Sequence, residues 1–304
     1  MATQTLAVVL VLIAAAVEAL SNVLQHKAAN SSKREPGHSE AGAVLRTLKK
    51  PLFLLGFALM IVGYGFHVAS LGFGVLAVIQ VIFVTQLVFV LPFSKMISKT
   101  HISRSDWAGA AVVTLGIAAF VAVAQPTAGD SSAAGMRWLV AIGAVSLACL
   151  IVVVLGYRMH GATRAALIGV SGGLINGLVA PLTKGTIQSA SNGVGALFTS
   201  WFIWVTLIAA LLGVLFPLMA FRAGPITASF PAVMSLNPIV ATILGVYLFG
   251  ETLATSTLGI VLMVLSGIVI FVGIVWLSRS KAIAEAFEEH EDNPGEASAT
   301  ATLL

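Results

Sequence analysis

The sequence predicts an all-α polytopic membrane protein: about nine transmembrane helices in two inverted four-helix repeats joined by one linking helix. Three observations lead there. Of 304 residues, 58% are hydrophobic and only 9% charged, with a mean hydropathy of +1.02; so little polar surface cannot clothe a water-exposed domain. The apolar runs are continuous and about 20 residues long, enough to cross a ~30 Å hydrocarbon core as helices, rather than the ~10-residue alternating segments of a barrel. Finally, the chain resembles itself at a shift of 150 residues: Gly63 falls on Gly213, Gly74 on Gly224, Gly109 on Gly259 and Phe120 on Ile270.

The predicted spans are 5–26, 52–70, 75–93, 107–124, 138–156, 165–187, 197–220, 225–249 and 257–277. The first lacks a basic flank and a small-residue cleavage site ahead of it, so it reads as a retained span rather than a signal peptide. Residues 27–51 form a polar, basic loop. At a slightly larger shift the first span, ending at Lys27, lies on the sixth, ending at Lys184. Spans one to four therefore match six to nine across one intervening span, and the two halves run in opposite directions. This gives four regions: a first membrane repeat (1–124), a linking helix (125–160), a second repeat (161–278) and an acidic tail (279–304). The tail carries Glu285, Glu288, Glu289, Glu291, Asp292 and Glu296 and is expected to be a short amphipathic helix followed by a disordered cytoplasmic segment.

Charge sets the expected orientation. With nine spans, 14 of the 16 Lys and Arg residues fall on one side, leaving only Arg137 and Lys184 on the other. The positive-inside rule then places the N-terminus outside and the C-terminus in the cytoplasm of a plasma membrane. Trp201, Trp204 and Trp276 fit interfacial belts. The net charge of +4 is spread over short loops and is no nucleic-acid footprint. The single cysteine, Cys149, excludes an intramolecular disulfide or a cysteine metal cluster. No cofactor motif, nucleophile elbow or phosphate loop is present, so nothing points to an enzyme.

The eighth span, GPITASFPAVMSLNPIVATILGVYLFGE from Gly224, contains Pro231 and Asn237-Pro238. Pro238 has no N–H and disfavours helical geometry at Asn237, while Asn followed by Pro makes a good helix start. The expectation is two half-helices meeting at the midplane, with a simple proline kink as the plainer reading. A membrane-central Pro, an apolar half-helix and then Gly250-Glu251, a following helix that opens TLGIVLMVLSGIVIFVGI, and first helices ending at Lys27 and Lys184 together resemble the drug/metabolite transporter superfamily. Nine spans with an outside N-terminus are closest in pattern to the NIPA-type branch, whose members are described as magnesium transporters. The resemblance implies a secondary carrier working by alternating access. The first half departs from the pattern, with His101 where the second has Glu251 and Leu87 where it has Asn237.

Glu18 is the one carboxylate within a predicted span. Ser21, Asn22 and Gln25 share its helix face, and such a stripe must face protein or water. It is either a cation or proton site, and hence the candidate metal ligand, or an interhelical hydrogen-bond lock. Gly169, Gly173 and Gly177 form a ridge that reads chiefly as a packing face. Lys184 is a snorkelling group or an anion or substrate contact; Glu251 and the basic loops read as solvated or capping groups. The expected substrate site comprises Glu18, Asn22, Tyr64, His67, Gln80, Gln86, Asn176, Asn237 and Pro238, although interhelical hydrogen bonding is the plainer role for Tyr64, His67, Gln80, Thr85 and Gln86. The expected partners are a small-molecule or ion substrate, the lipid bilayer and a second copy in a homodimer. Three functions fit: transport of Mg²⁺ or another cation, proton-coupled export of a drug or metabolite, and a non-transport role as an accessory subunit or lipid-head-group translocase.

Overall fold

The computed structural model describes residues 2–33, 49–129, 135–254 and 256–287. In chain order the helices are α1 (Ala2–Lys33), α2 (Pro51–Phe73), α3 (Leu76–Phe83), α4 (Gln86–Phe93), α5 (Arg104–Ala124), α6 (Gly135–Tyr157), α7 (Gly161–Ser191), α8 (Val194–Thr199), α9 (Trp201–Ala223), α10 (Ile226–Phe249), α11 (Thr257–Leu277) and α12 (Lys281–Phe287). Among the described residues nine spans are long and apolar enough to cross a membrane, with α3, α4 and a wide π-type turn at Ser94–Ser98 forming the third. Their ends agree with those read from the sequence to within about five residues. Successive spans alternate in direction. The face holding the end of α1 and the start of α2 also carries most of the described Lys and Arg residues; we call it the basic face.

Local sequence sets the ends. Pro51 opens α2, where its missing N–H costs nothing. Ser103 and Asp106 cap α5 reciprocally: Asp106 N donates to Ser103 Oγ at 3.1 Å, and Ser103 N to Asp106 Oδ2 at 2.8 Å. α10 stops at Gly250, whose φ of 63° is left-handed.

The repeat read from the sequence reappears as matched contacts. A Cβ on Gly74 would lie 2.8 Å from Ala7 Cβ, and one on Gly224 would lie 3.1 Å from Ala165 Cβ. A Cβ on Gly63 would meet Glu18 Cγ at 2.8 Å, and one on Gly213 would meet Asn176 Oδ1 at 2.7 Å. Ala7 and Ala165, like Glu18 and Asn176, are 158 residues apart; the paired glycines are 150 apart. Thus α1 sits on α2 as α7 sits on α9. The halves meet where α5 runs antiparallel to α11, with Gly109 near Leu277, Gly116 against Ile270 and Gly273 against Val113, and where α3 packs on α10. The expected ridge on α7 is a packing face: Gly169 lies under Ser229, Gly173 under Leu236 and Gly177 under Val240 of α10.

The break expected at Asn237-Pro238 does not exist. α10 is helical from Ile226 to Phe249 with Pro231 and Pro238 inside it. Helices packed on both sides tolerate a proline in this way. The interruption lies instead in the third span, its counterpart in the first half. There Val84 N, Thr85 N and Leu87 N donate to carbonyls three residues back, at 3.3, 2.9 and 3.1 Å, which tightens the helix locally. After Pro92 the backbone widens through Ser94–Ser98 and ends at Lys99, with φ 58°.

At the basic face α12 packs on α1, α4 and the turn at Ser94–Ser98, with Ala282, Ile283 and Ala286 buried. At the opposite face Thr127 and Thr252 exchange backbone hydrogen bonds of 3.0 and 3.2 Å, and Ala254 N donates to Ala124 O at 2.8 Å. Most of the basic loop (34–48) and the acidic tail from Glu288 onward lie outside the described residues.

Candidate functional site

α1 carries the intramembrane carboxylate. Glu18 is half-buried and turned toward α2, where Gly63 leaves room for it. No hydrogen bond or ion pair joins its carboxylate to another group among the described residues. The rest of the stripe faces protein, as expected for Ser21 and Gln25: Ser21 Oγ donates to Gly56 O at 2.8 Å, and Gln25 Nε2 donates to Ser21 Oγ at 2.8 Å. Asn22 is half-buried on the same helix.

The other half answers Glu18 with Asn176. Its Nδ2 donates to Gly172 O at 3.0 Å within α7 and to Gly213 O at 2.9 Å on α9. Asn176 is therefore an interhelical lock. Glu18 holds the corresponding position with a group that has no N–H to give.

His67 and Gln80 are brought together. Their Nε2 atoms lie 3.2 Å apart, and Phe83 packs on the imidazole with ring centroids 4.2 Å apart. Both residues are buried, and His67 Nδ1 has no hydrogen-bond partner. Tyr64, one turn earlier on α2, reaches Thr183 of α7 at 3.5 Å, a long contact across the halves. Gln86 is half-buried at the start of α4. Asn237 is no helix cap: its backbone carbonyl packs on Gly177, and its Oδ1 is buried without a partner. Thr85 Oγ1, Ser229 Oγ and Ser235 Oγ are buried orphans too. Unsatisfied buried polar atoms are rare and call for an explanation; here they lie on α2, at the break of the third span and along α10, with Arg164 Nε near the start of α7 as a further one. The expected residues thus form separate groups: Glu18 against α2, His67 with Gln80, and Asn176 committed to α9. No group of three or more His, Cys, Asp or Glu side chains forms among the described residues.

The most developed polar constellation is one the sequence reading underrated. Glu251 is 1% exposed, not solvated. Gly250 turns the chain inward, and the carboxylate receives Lys184 Nζ at 2.8 Å, Leu76 N at 2.7 Å and Ala77 N at 3.2 Å. It is a capping group, as one reading allowed, but of α3, which begins 175 residues earlier. Val75, the residue that opens α3, supplies no side-chain cap, so Glu251 satisfies the orphan N–H groups and meets the positive end of the helix dipole. Lys184 also reaches Gly74 O at 3.4 Å, with its ammonium 4.8 Å from the centre of the Phe249 ring. Trp138 stands edge-on to Phe249. Gly245 is part of the design, since a Cβ there would lie 2.5 Å from Glu251 Oε2. Removing one member of such a buried pair typically costs about 3–5 kcal/mol, because the other charge is stranded. The only local clue was a Gly-Glu pair at a helix end; the partners are far away in the sequence.

No family model matches the chain, and no solved structure matches significantly. The chain is 26% identical over 285 residues to an uncharacterized protein of Corynebacterium glutamicum, an alignment covering 93% of this chain and 98% of that one. The likeness runs nearly end to end and brings no activity with it.

Proposed function

We propose that this protein is a secondary carrier of the drug/metabolite transporter type, moving a small cation by rocking its two inverted halves. The observation that carries the reading is Glu18. A carboxylate inside a membrane span costs at least ~2.5–3.5 kcal/mol and by default marks an ion, proton or substrate path. This one lacks a partner among the described residues, while its counterpart Asn176 gives both N–H groups of its amide to backbone carbonyls. The orphan polar atoms of His67, Thr85 and Asn237 supply further groups for a polar route between the halves.

The substrate is Mg²⁺ or another cation. One carboxylate with scattered amides is a thin ligand set for a hard dication, so Mg²⁺ would cross largely hydrated. That same thinness favours a second reading, in which an organic cation leaves in exchange for protons at Glu18. We place the protein in the plasma membrane with the basic face in the cytoplasm, following the distribution of Lys and Arg. Purified protein in liposomes tests the proposal: uptake driven by a Mg²⁺ gradient and uptake of an organic cation driven by a pH gradient are measured separately. Flux in one assay assigns the substrate class; flux in neither removes the carrier reading and leaves an accessory or lipid-translocating role.

A further inference from the structure

We infer that Glu251, Lys184 and the start of α3 form a gate that closes the passage between the two halves at the face opposite the basic one. The inference rests on the carrier reading for its meaning in transport, but its geometry stands independently. Glu251 and Lys184 belong to the second half, while Leu76, Ala77 and Gly74 belong to the first. The carboxylate therefore bridges the halves through two backbone N–H groups, and the ammonium paired with it crosses to Gly74 O. Its side chain is fully shielded from solvent and that of Lys184 is 15% exposed.

The clasp can open as a unit. What joins the halves at this point is a set of polar contacts to a helix start, beside the apolar packing of α3 on α10 and the backbone hydrogen bond from Ala254 N to Ala124 O; separating α3 from Glu251 leaves polar groups that water can serve. Phe249 would stay with Lys184, since both lie in the second half. Among the described residues the first half shows no equivalent. There the matching lysine, Lys27, donates to the carbonyl oxygen of Ile97 within its own half, and His101, at the position matching Glu251, is exposed. Among the described residues, the carboxylate clasp thus stands at one face and not at the other.

Ser70 reports on the gate. It is fully buried on α2, one turn below Gly74, whose N–H donates to Ser70 O at 2.9 Å. In a Cys149→Ser background, Ser70→Cys is exposed to a membrane-impermeant maleimide, and the rate of modification is read. The rate should be slow with the clasp intact and rise about tenfold or more with Glu251→Gln, Glu251→Ala or Lys184→Gln, because losing one partner of a buried pair shifts a two-state equilibrium strongly. Sodium acetate, compared with sodium chloride at equal ionic strength, should return the Glu251→Ala rate toward that of the parent by refilling the cradle. Lys27→Gln, at the matching place in the other half, should leave it unchanged. Unchanged modification in the clasp variants overturns the gate. So does a raised rate that acetate does not lower, which would mean general loosening. If Glu251→Ala does not fold, the two glutamine variants measured beside Lys27→Gln decide. Because modification is read and not flux, a negative transport assay leaves the result intact.

Discussion

Asn176 donates to the carbonyl oxygen of Gly213 across 2.9 Å and so ties α7 to α9. At the corresponding place in the first half, Glu18 lies against Gly63 of α2 with no such tie. At this matched position the two helix pairs differ in the polar side chain, one tied to its partner helix and one not.

That contrast predicts opposite results for two substitutions. Asn176→Ala strands the Gly213 carbonyl and should lower stability by about 1 kcal/mol, with an upper limit near 2. Glu18→Asn installs the second half's lock in the first, and should leave stability equal or higher while abolishing transport. Thermal unfolding in detergent and flux in liposomes measure the two effects.

The α7–α10 contact predicts a second contrast. A Cβ on Gly173 would lie 2.6 Å from that of Leu236, whereas nothing lies within 4 Å of a Cβ on Gly143. Gly173→Leu should destabilise by about 2 kcal/mol or more through overpacking. Gly143→Ala should be neutral or stabilising by up to about 1 kcal/mol. Melting temperatures of the purified variants check both values.

The displaced break predicts a third. Pro238 lies inside a continuous helix, so Pro238→Ala should change stability by less than about 1 kcal/mol and keep the α10 backbone. Thr85→Val keeps the shape at the interruption of the third span and removes a hydroxyl that has no partner. It should not destabilise, and it should slow flux if that break lines the route. A normal rate in Thr85→Val would make the break a packing feature.

Orientation is tested by cysteines at exposed described positions in the Cys149→Ser background. His101→Cys, on the basic face, should react only with reagent on the cytoplasmic side, and Val194→Cys, 73% exposed at the other face, only from outside. Ser280, which would otherwise serve as a cytoplasmic marker, is buried and unsuitable.

Much of this architecture is legible in the sequence because a bilayer makes it so. Each span must be continuous, apolar and about 20 residues long, and glycines at four-residue spacing have little use except close packing. The repeat is readable in Gly63, Gly74, Gly213 and Gly224 for the same reason: small residues mark where helices touch. The break was misplaced because proline is a strong local signal but a weak constraint once neighbouring helices support the backbone. Val84 and Thr85 interrupt a span with no Gly or Pro beside them. Glu251 was underrated because its burial depends on Leu76 and Lys184, which sequence spacing does not bring near. Glu18 was legible since a lone acid in an apolar run is conspicuous; that Asn176 is its counterpart emerges only when both are seen against their glycines.

The central claim is that Glu18 is the charge the carrier gains and loses in its cycle. Glu18→Gln keeps the shape and removes the charge, so one measurement tests it: flux through purified wild-type and Glu18→Gln protein in liposomes, with and without a pH gradient. The account predicts a folded, membrane-inserted variant whose pH-driven flux is lost. A variant that transports at the wild-type rate with the same pH profile would contradict it and leave Glu18 as a packing group between α1 and α2.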